Sequence, residues 1–431
     1  MKYLNSMSWL FLEKILRLGI GFFVLTWMIR YLGPEQYGVY SFAQGFVFMF
    51  MAITTLGLDG IVVRELVKHP SLEIELLKTA WYLKFIGAII LVFIVFVSIK
   101  ATSMDSNVSL YILIIAISTI FQSFNVLNFY FQYKIAGKYS AYTNIIVLLL
   151  SSIIKIILIM NEVSLIFFIY MIVIENVILA LSYIYFYIKL SNNIQVFLLK
   201  FNKKIAKILL KNSWPLILTG IGYNIYSSID KIMLYNMVDS ISVGYYSTGV
   251  QLINAFIFLP TIFMNTIYPH LVSTYKTNKN HFIEQLYYIY RITIIVSFLF
   301  IISMFLFGKD ITLLLYGDDY IETSNMIFLL SFSFLFESLA IINGRWIWIK
   351  NLQIISLYRT LFGAVFNILL NLYLIPEYGV YGAVYATLLT LFFAVVIFYI
   401  IFPQTREITK MQFYTLLTFY KLKGVLQWAK K

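Results

Sequence analysis

Apolar stretches of roughly 20 residues recur from one end of this chain to the other, and no other feature narrows its fold as far. Twelve qualify, at about 8–31, 38–60, 79–99, 108–132, 142–160, 164–190, 213–235, 240–268, 285–307, 322–349, 351–374 and 378–402. A bilayer core about 30 Å thick is crossed by roughly 20 helical residues, so each stretch is long enough to span it. Of the 431 residues, 61% are hydrophobic and 12% charged. A soluble domain carries roughly 45–50% and 25%, so a water-soluble fold is excluded. The chain reads as an all-α integral membrane protein. It has no cysteine, which removes disulfides and thiolate metal sites, and its three histidines (His69, His270, His281) give a multi-histidine metal centre little to draw on. No phosphate-binding or dinucleotide motif occurs, so no cofactor is expected. The first stretch carries Glu13, Lys14 and Arg17 and lacks a small-residue cleavage site, so it is expected to be a retained span.

The net charge of +13 follows topology. With the N-terminus in the cytoplasm, 21 lysines and arginines fall in the loops and termini of that side, and three (Arg30, Lys100, Lys309) on the other. Both termini are therefore expected inside, and the surplus charge is assigned to anionic membrane lipids, with no nucleic-acid partner. In the longest inner loop, Lys200, Lys203, Lys204, Lys207 and Lys211 share one helical face, with Phe201, Ile205, Ile208 and Leu209 off it. That pattern predicts a cytoplasmic amphipathic linker helix at 191–212, lying in the membrane interface. It separates an N-terminal six-helix lobe (1–190) from a C-terminal six-helix lobe (213–402). A basic amphipathic cytoplasmic tail (403–431), with Phe413, Leu416, Leu417, Phe419, Tyr420 and Trp428, predicts a second interfacial helix.

An internal repeat supports the two lobes. Gly33-Pro-Glu-Gln-Tyr-Gly-Val-Tyr-Ser41 follows span one and Ser240-Ile-Ser-Val-Gly-Tyr-Tyr-Ser247 follows span seven, with Gly38 and Gly244 206 residues apart. A third copy, Pro376-Glu-Tyr-Gly-Val-Tyr-Gly-Ala383, lies between spans eleven and twelve. Glycine is expected to turn the backbone, the aromatic pair to sit at the membrane surface, and Ser or Gly to let the next helix pack closely. Because spans one and seven enter from the same side, the halves are parallel repeats, which predicts two lobes around a central cavity that opens alternately to each side. Gly33-Pro34, Trp214-Pro215 and Leu259-Pro260 are candidate bends.

Ser8-Trp-Leu-Phe-Leu-Glu-Lys-Ile-Leu-Arg17, Arg30 to Ser41, Thr55-Leu-Gly-Leu-Asp-Gly-Ile-Val-Val-Arg-Glu-Leu66 and Ile229-Asp-Lys-Ile-Met-Leu234 resemble the Wzx-type O-antigen and polysaccharide flippases of the multidrug/oligosaccharidyl-lipid/polysaccharide exporter superfamily. The resemblance implies a MATE-like fold. It also implies movement of an undecaprenyl-pyrophosphate-linked oligosaccharide, the O-antigen repeat unit of lipopolysaccharide, from the cytoplasmic to the periplasmic leaflet of a bacterial inner membrane. Anionic lipids and other polysaccharide-assembly proteins are the remaining candidate partners.

Charges inside the spans bear most directly on mechanism. Each costs roughly 2.5–3.5 kcal/mol near a helix centre on insertion scales, so such groups face a bundle interior or wet cavity and pair there. At about 1.5 Å per residue, Arg17 lies roughly 14 Å from the inner face and Lys155 roughly 20 Å. Glu13 and Arg17, four apart, share a face on which a phosphate could displace the carboxylate, while Lys14 points elsewhere. Lys14, Arg17, Lys155, Lys231, Arg291 and Arg345 are the candidate substrate-binding cations, because a lipid pyrophosphate needs compensating positive charge to cross. Snorkelling to headgroups is the competing role for Arg291, Arg345, Arg359 and Lys84. The acids Glu13, Asp59, Glu175, Asp230 and Glu337 are candidate coupling sites, where H⁺ or Na⁺ could come and go with the transport cycle.

Two other readings compete. A cation-coupled multidrug or small-molecule exporter of the same fold should line its cavity with acids and aromatics, whereas the deep lysines and arginines here favour an anionic cargo. A membrane polysaccharide polymerase or glycosyltransferase needs a sizeable outer catalytic loop. The only outer acidic cluster (Asp310, Asp318, Asp319, Glu322) reads as a solvated hairpin, so the chain is not expected to be an enzyme.

Overall fold

The structure is a computed structural model that describes residues 2–102, 104–191 and 201–418. Every regular element among them is helical. Residues 192–200 of the expected linker, and 419–431 of the tail with Phe419, Tyr420 and Trp428, lie outside the described residues. Ten described helices are long and apolar enough to cross a membrane. Expected spans one and two lie in a single 43-residue run, Ser8–Phe50, broken at Gly33, where the backbone turns left-handed (φ 67°) ahead of Pro34. Span seven sits in a helix that Asp230, Lys231 and their Asn and Ser neighbours keep less apolar than the other ten.

The chain forms two compact units, Met1–Ile232 and Met233–Lys431. The first holds α1 (Lys2–Leu16), a π-helical turn (Arg17–Gly21), α2 (Phe22–Phe50), α3 (Ala52–Thr55), α4 (Asp59–Lys68), α5 (Glu73–Ala101), α6 (Ser106–Ser118), α7 (Val126–Tyr133), α8 (Gly137–Met160), α9 (Leu165–Ser191) and most of α10 (Lys203–Met237). The second holds α11 (Ser240–Asn254), α12 (Phe258–Thr277), α13 (Lys279–Tyr316), α14 (Ile321–Ile349), α15 (Gln353–Tyr378), α16 (Val380–Phe392), a second π-helical turn (Phe393–Ile397) and α17 (Arg406–Thr418). Side-chain caps start several of these helices: Asp105 accepts from Asn107 N, Asp239 from Ser242 N and Asn278 from His281 N.

The unit boundary falls inside α10 and not in the expected linker, because the first half of α10 packs on unit one. Asn202 caps it, accepting from Lys204 N (3.0 Å) and Ile205 N (3.3 Å), and donates to Glu75 Oε2 at 2.8 Å. Ile205, Ala206 and Leu209 enter a core with Leu66, Leu77, Tyr130 and Tyr187. Ile205, Ala206 and Leu209 are thus covered by protein, while Ile208 stays exposed with Lys203, Lys204, Lys207 and Lys211. Further along, Leu216 closes on Gly57, where a Cβ would stand 2.6 Å from the leucine Cβ. Gly57 (φ 57°) and Leu56 (φ 51°) form the left-handed break between α3 and α4, which is why glycine is needed there.

The repeat keeps its sequence but not its backbone. In the first copy Gly33 makes the turn, and Gly38 is buried inside α2. In the second, Gly244 is buried within α11. Only in the third does the motif glycine itself turn left-handed, at Gly379 (φ 56°). Tyr37, Tyr40 and Tyr246 are buried, so these rings fill the helix packing, while Tyr245 is half-buried. Of the candidate bends, Gly33-Pro34 is a true break. Pro215 is carried within continuous α10, and Pro260 stands in the first turn of α12, where its missing N–H costs least.

The described part of the tail is tied into unit two. Ile408, Met411 and Gln412 of α17 are buried. Gln412 Nε2 donates to Asn343 Oδ1 (3.1 Å) and Val395 O (3.3 Å), and Thr409 Oγ1 to Val396 O (2.9 Å). The π-helical turn supplies those carbonyls, since its altered hydrogen-bond register frees acceptors that α17 and α14 then satisfy.

Candidate functional site

In unit one, three cations within the spans are each matched by a carboxylate. The π-helical turn begins at Arg17 and lets Gly21 come against Leu148 of α8. One turn earlier, the buried Glu13 carboxylate accepts from Arg17 through Nη2 at 2.7 Å and Nε at 2.9 Å. The Arg17 side chain as a whole remains 58% exposed. Lys14, on another face of α1, is exposed. Between α8 and α9, Lys155 Nζ meets Glu175 Oε1 at 2.7 Å, and Tyr40 of α2 lies within electrostatic reach of that carboxylate.

The third cation is Lys84, whose side chain is only 5% exposed. Its ammonium lies 3.7 Å from Asp59 Oδ1 and 5.2 Å from the ring centre of Phe129, so Lys84 does not snorkel. The reason is the break at residues 56–58, which starts α4 beside α5 and brings Asp59 over Lys84. Lys231 lays its stem against Gly45 of α2, with Cδ 3.4 Å from where a glycine Cβ would stand, and Asp230 beside it is buried. Outside the spans, Lys134 Nζ pairs with Glu73 Oε2 at 2.8 Å. Burial pulls that ammonium down, but the Glu73 hydrogen bond and charge outweigh it and hold it above the usual lysine value.

In unit two, Arg345 is held differently. Arg345 of α14 lies between Tyr268 (5.1 Å to the ring centre) and Trp348 (4.7 Å), with Nη2 donating to Asn265 Oδ1. No carboxylate among the described residues stands at ion-pair distance from it. Arg291 is buried in α13, and Glu337 is half-buried in α14 with no described cation paired to it. The structure therefore joins Glu13 with Arg17, Glu175 with Lys155 and Asp59 with Lys84, and leaves Lys14, Arg345 and Glu337 outside such pairs.

Sequence reasoning missed two features here. Lys78, counted among the inner-loop cations, is 1% exposed, with its ammonium 5.5 Å from the Tyr82 ring centre. The buried network of Tyr290, Asn343 and Gln412, with Tyr290 Oη donating to Asn343 Oδ1 at 2.6 Å, was legible only as an asparagine inside an apolar span.

Ten described helices long and apolar enough to cross a membrane, with an ion pair joining two of them, define a polytopic membrane protein. Residues 3–275 match the family model described as polysaccharide biosynthesis protein, and the chain belongs to that family. A curated relative, the probable low-salt glycan biosynthesis flippase Agl15 of Haloferax volcanii, is 25% identical over 191 residues. That match takes in 43% of this chain and spans 40% of the relative's length. Among solved structures, lipid II flippase MurJ in an inward closed conformation shares the fold with a TM-score of 0.68 at 15% identity, over 97% of this chain and 92% of that one. The MATE multidrug transporter DinF-BH shares it with a TM-score of 0.63 at 16% identity, over 93% and 96%. At these identities the likeness is one of fold.

Proposed function

We propose that this protein is a flippase for a lipid-linked oligosaccharide, and specifically for an undecaprenyl-pyrophosphate-linked repeat unit. The unit would move from the cytoplasmic to the periplasmic leaflet of a bacterial inner membrane, with both termini of the protein inside. The observation that carries this reading is the pairing of Arg17 with Glu13 and of Lys155 with Glu175 inside the spans of unit one. A cation held by a carboxylate is stable in an apolar surrounding while no substrate is present. A pyrophosphate brings more negative charge and more acceptor oxygens than one carboxylate, and Arg17 offers it a planar, multi-donor face. Exchange of carboxylate for phosphate would lower the desolvation cost of the headgroup while the polyprenyl tail stays in lipid. The displaced carboxylates, with Glu337, are then the groups at which H⁺ or Na⁺ could be taken up to reset the cycle.

Family membership and the curated flippase relative support a glycan-lipid cargo over an organic cation. The test replaces Arg17 and Lys155 singly with Ala and with Glu, and compares surface polysaccharide in cells at matched protein levels. At least tenfold loss of surface glycan, with lipid-linked units accumulating on the inner leaflet, is expected for each Glu variant and a smaller loss for Ala. Unaltered export in all four variants contradicts the reading.

A further inference from the structure

Two of the three histidines in this chain meet at one atom. α12 and α13 form a hairpin closed by Asn278, which caps α13 through His281 N at 3.1 Å, and by the edge-to-face contact of Tyr275 with buried Phe282, 5.1 Å between ring centres. On α12, His270 follows Pro269, and its carbonyl accepts from Thr274 Oγ1 at 3.0 Å. On α13, His281 lies one turn before Gln285. Gln285 Nε2 is 2.8 Å from His270 Nε2 and 3.2 Å from His281 Nε2. With the amide nitrogen toward them, both imidazole Nε2 atoms accept and are the unprotonated ones. Two nitrogen lone pairs thus converge on one point at the hairpin surface. Glu284 Oε2, 3.5 Å from His281 Nδ1, fixes that tautomer from behind, the arrangement carboxylates adopt behind metal-ligating histidines.

The amide beneath completes the picture. Gln285 is 1% exposed, and its Oε1 is buried without a hydrogen-bond partner among the described residues, whereas His270 and His281 are exposed. Rotating the amide by half a turn exchanges its oxygen and nitrogen, and puts an oxygen where the two lone pairs point. Where both rings keep Nε2 unprotonated, three acceptors then face one another, an arrangement that a bound cation stabilises in competition with a proton on Nε2. No three His, Cys, Asp or Glu side chains among the described residues group as metal ligands, so the set here is two imidazoles and an amide oxygen, with water to complete it. Imidazole suits Zn²⁺, Co²⁺, Ni²⁺ and Cu²⁺, and not Mg²⁺ or Ca²⁺. Metal–nitrogen bonds of about 2.0–2.1 Å are shorter than either present contact, so both rings must close in on the metal. We infer that His270, His281 and Gln285 form a transition-metal site that clips α12 to α13 in exchange for the present amide hydrogen bonds.

The experiment titrates Co²⁺ into the full chain in detergent, followed by its visible absorption, with Zn²⁺ as competitor. One saturable Co²⁺ per chain, displaced by Zn²⁺, is expected in the wild type and in His69→Ala, the remaining histidine. His270→Ala and His281→Ala should each weaken binding at least tenfold, and both positions are exposed. Gln285→Glu should strengthen it at least tenfold by supplying a charged oxygen, a gain that misfolding cannot imitate. No saturable band in the wild type, affinity unchanged in both histidine variants, or a Gln285→Glu variant no tighter than the wild type overturns the assignment.

Discussion

Arg345 in unit two is held by other means than Arg17, Lys155 and Lys84 in unit one. In unit one, Arg17, Lys155 and Lys84 each face a carboxylate at 2.7–3.7 Å. In unit two, Arg345 is held by two aromatic rings and an asparagine oxygen, all neutral. A carboxylate cancels the charge it holds, and an anion must displace it before using that charge. Neutral partners orient the guanidinium without cancelling it. The paired cations of unit one are thus neutralised by carboxylates, while Arg345 keeps its positive charge. Under the flippase reading, unit one would have the residues whose partners change during the cycle.

The sharpest way to break this contrast is the charge reversal Lys155→Glu. It sets two carboxylates together at sites 17% and 27% exposed, and should cost about 3 kcal/mol in unfolding free energy together with tenfold or greater loss of export. Adding Glu175→Lys restores the pair with its order inverted. Thermal stability should return while export stays low, because the cation now projects from α9. Full recovery of export by the swap would show that pairing alone matters and that position does not.

A second prediction concerns the unit-two network. Gln412→Leu removes the amide that reaches Asn343 and Val395 and leaves each of these acceptors with one donor in place of two, at about 1 kcal/mol. Urea or thermal unfolding in detergent should register that loss, with export falling only in proportion to protein level. A drop in export at unchanged stability would instead make α17 part of the transport step. The smallest effect is expected at Arg345. Arg345→Lys keeps the charge and gives up the planar stack on Tyr268 and Trp348, a difference of about 1 kcal/mol or a few-fold in export rate, whereas Arg345→Ala removes both.

Much of the architecture was legible in the sequence because hydrophobic length is a direct physical requirement of the bilayer. The Glu13–Arg17 pair was readable for a comparable reason, since residues four apart on a helix face each other. Lys155–Glu175 and Asp59–Lys84 were visible only as charges needing partners, because which acid meets which base depends on helix packing. Lys84 shows how that dependence works: the left-handed pair Leu56-Gly57, not the hydropathy, carries Asp59 to it. The linker misled for the opposite reason. An amphipathic face looks the same whether lipid or protein covers it, and here Ile205, Ala206 and Leu209 are covered by the core of unit one. The repeat glycines likewise share a sequence but divide between turning the chain at Gly379 and packing inside helices at Gly38 and Gly244.

The central claim is that the carboxylate-held cations of unit one carry the headgroup across. Purified protein in proteoliposomes loaded with a lectin-readable undecaprenyl-pyrophosphate oligosaccharide measures this directly, as the rate at which labelled lipid becomes accessible on the far leaflet. The account predicts time-dependent transfer by the wild type and less than a tenth of that rate for Arg17→Ala and Lys155→Ala, with all three proteins equally folded. Equal rates for the three, or no transfer by the wild type, would contradict it.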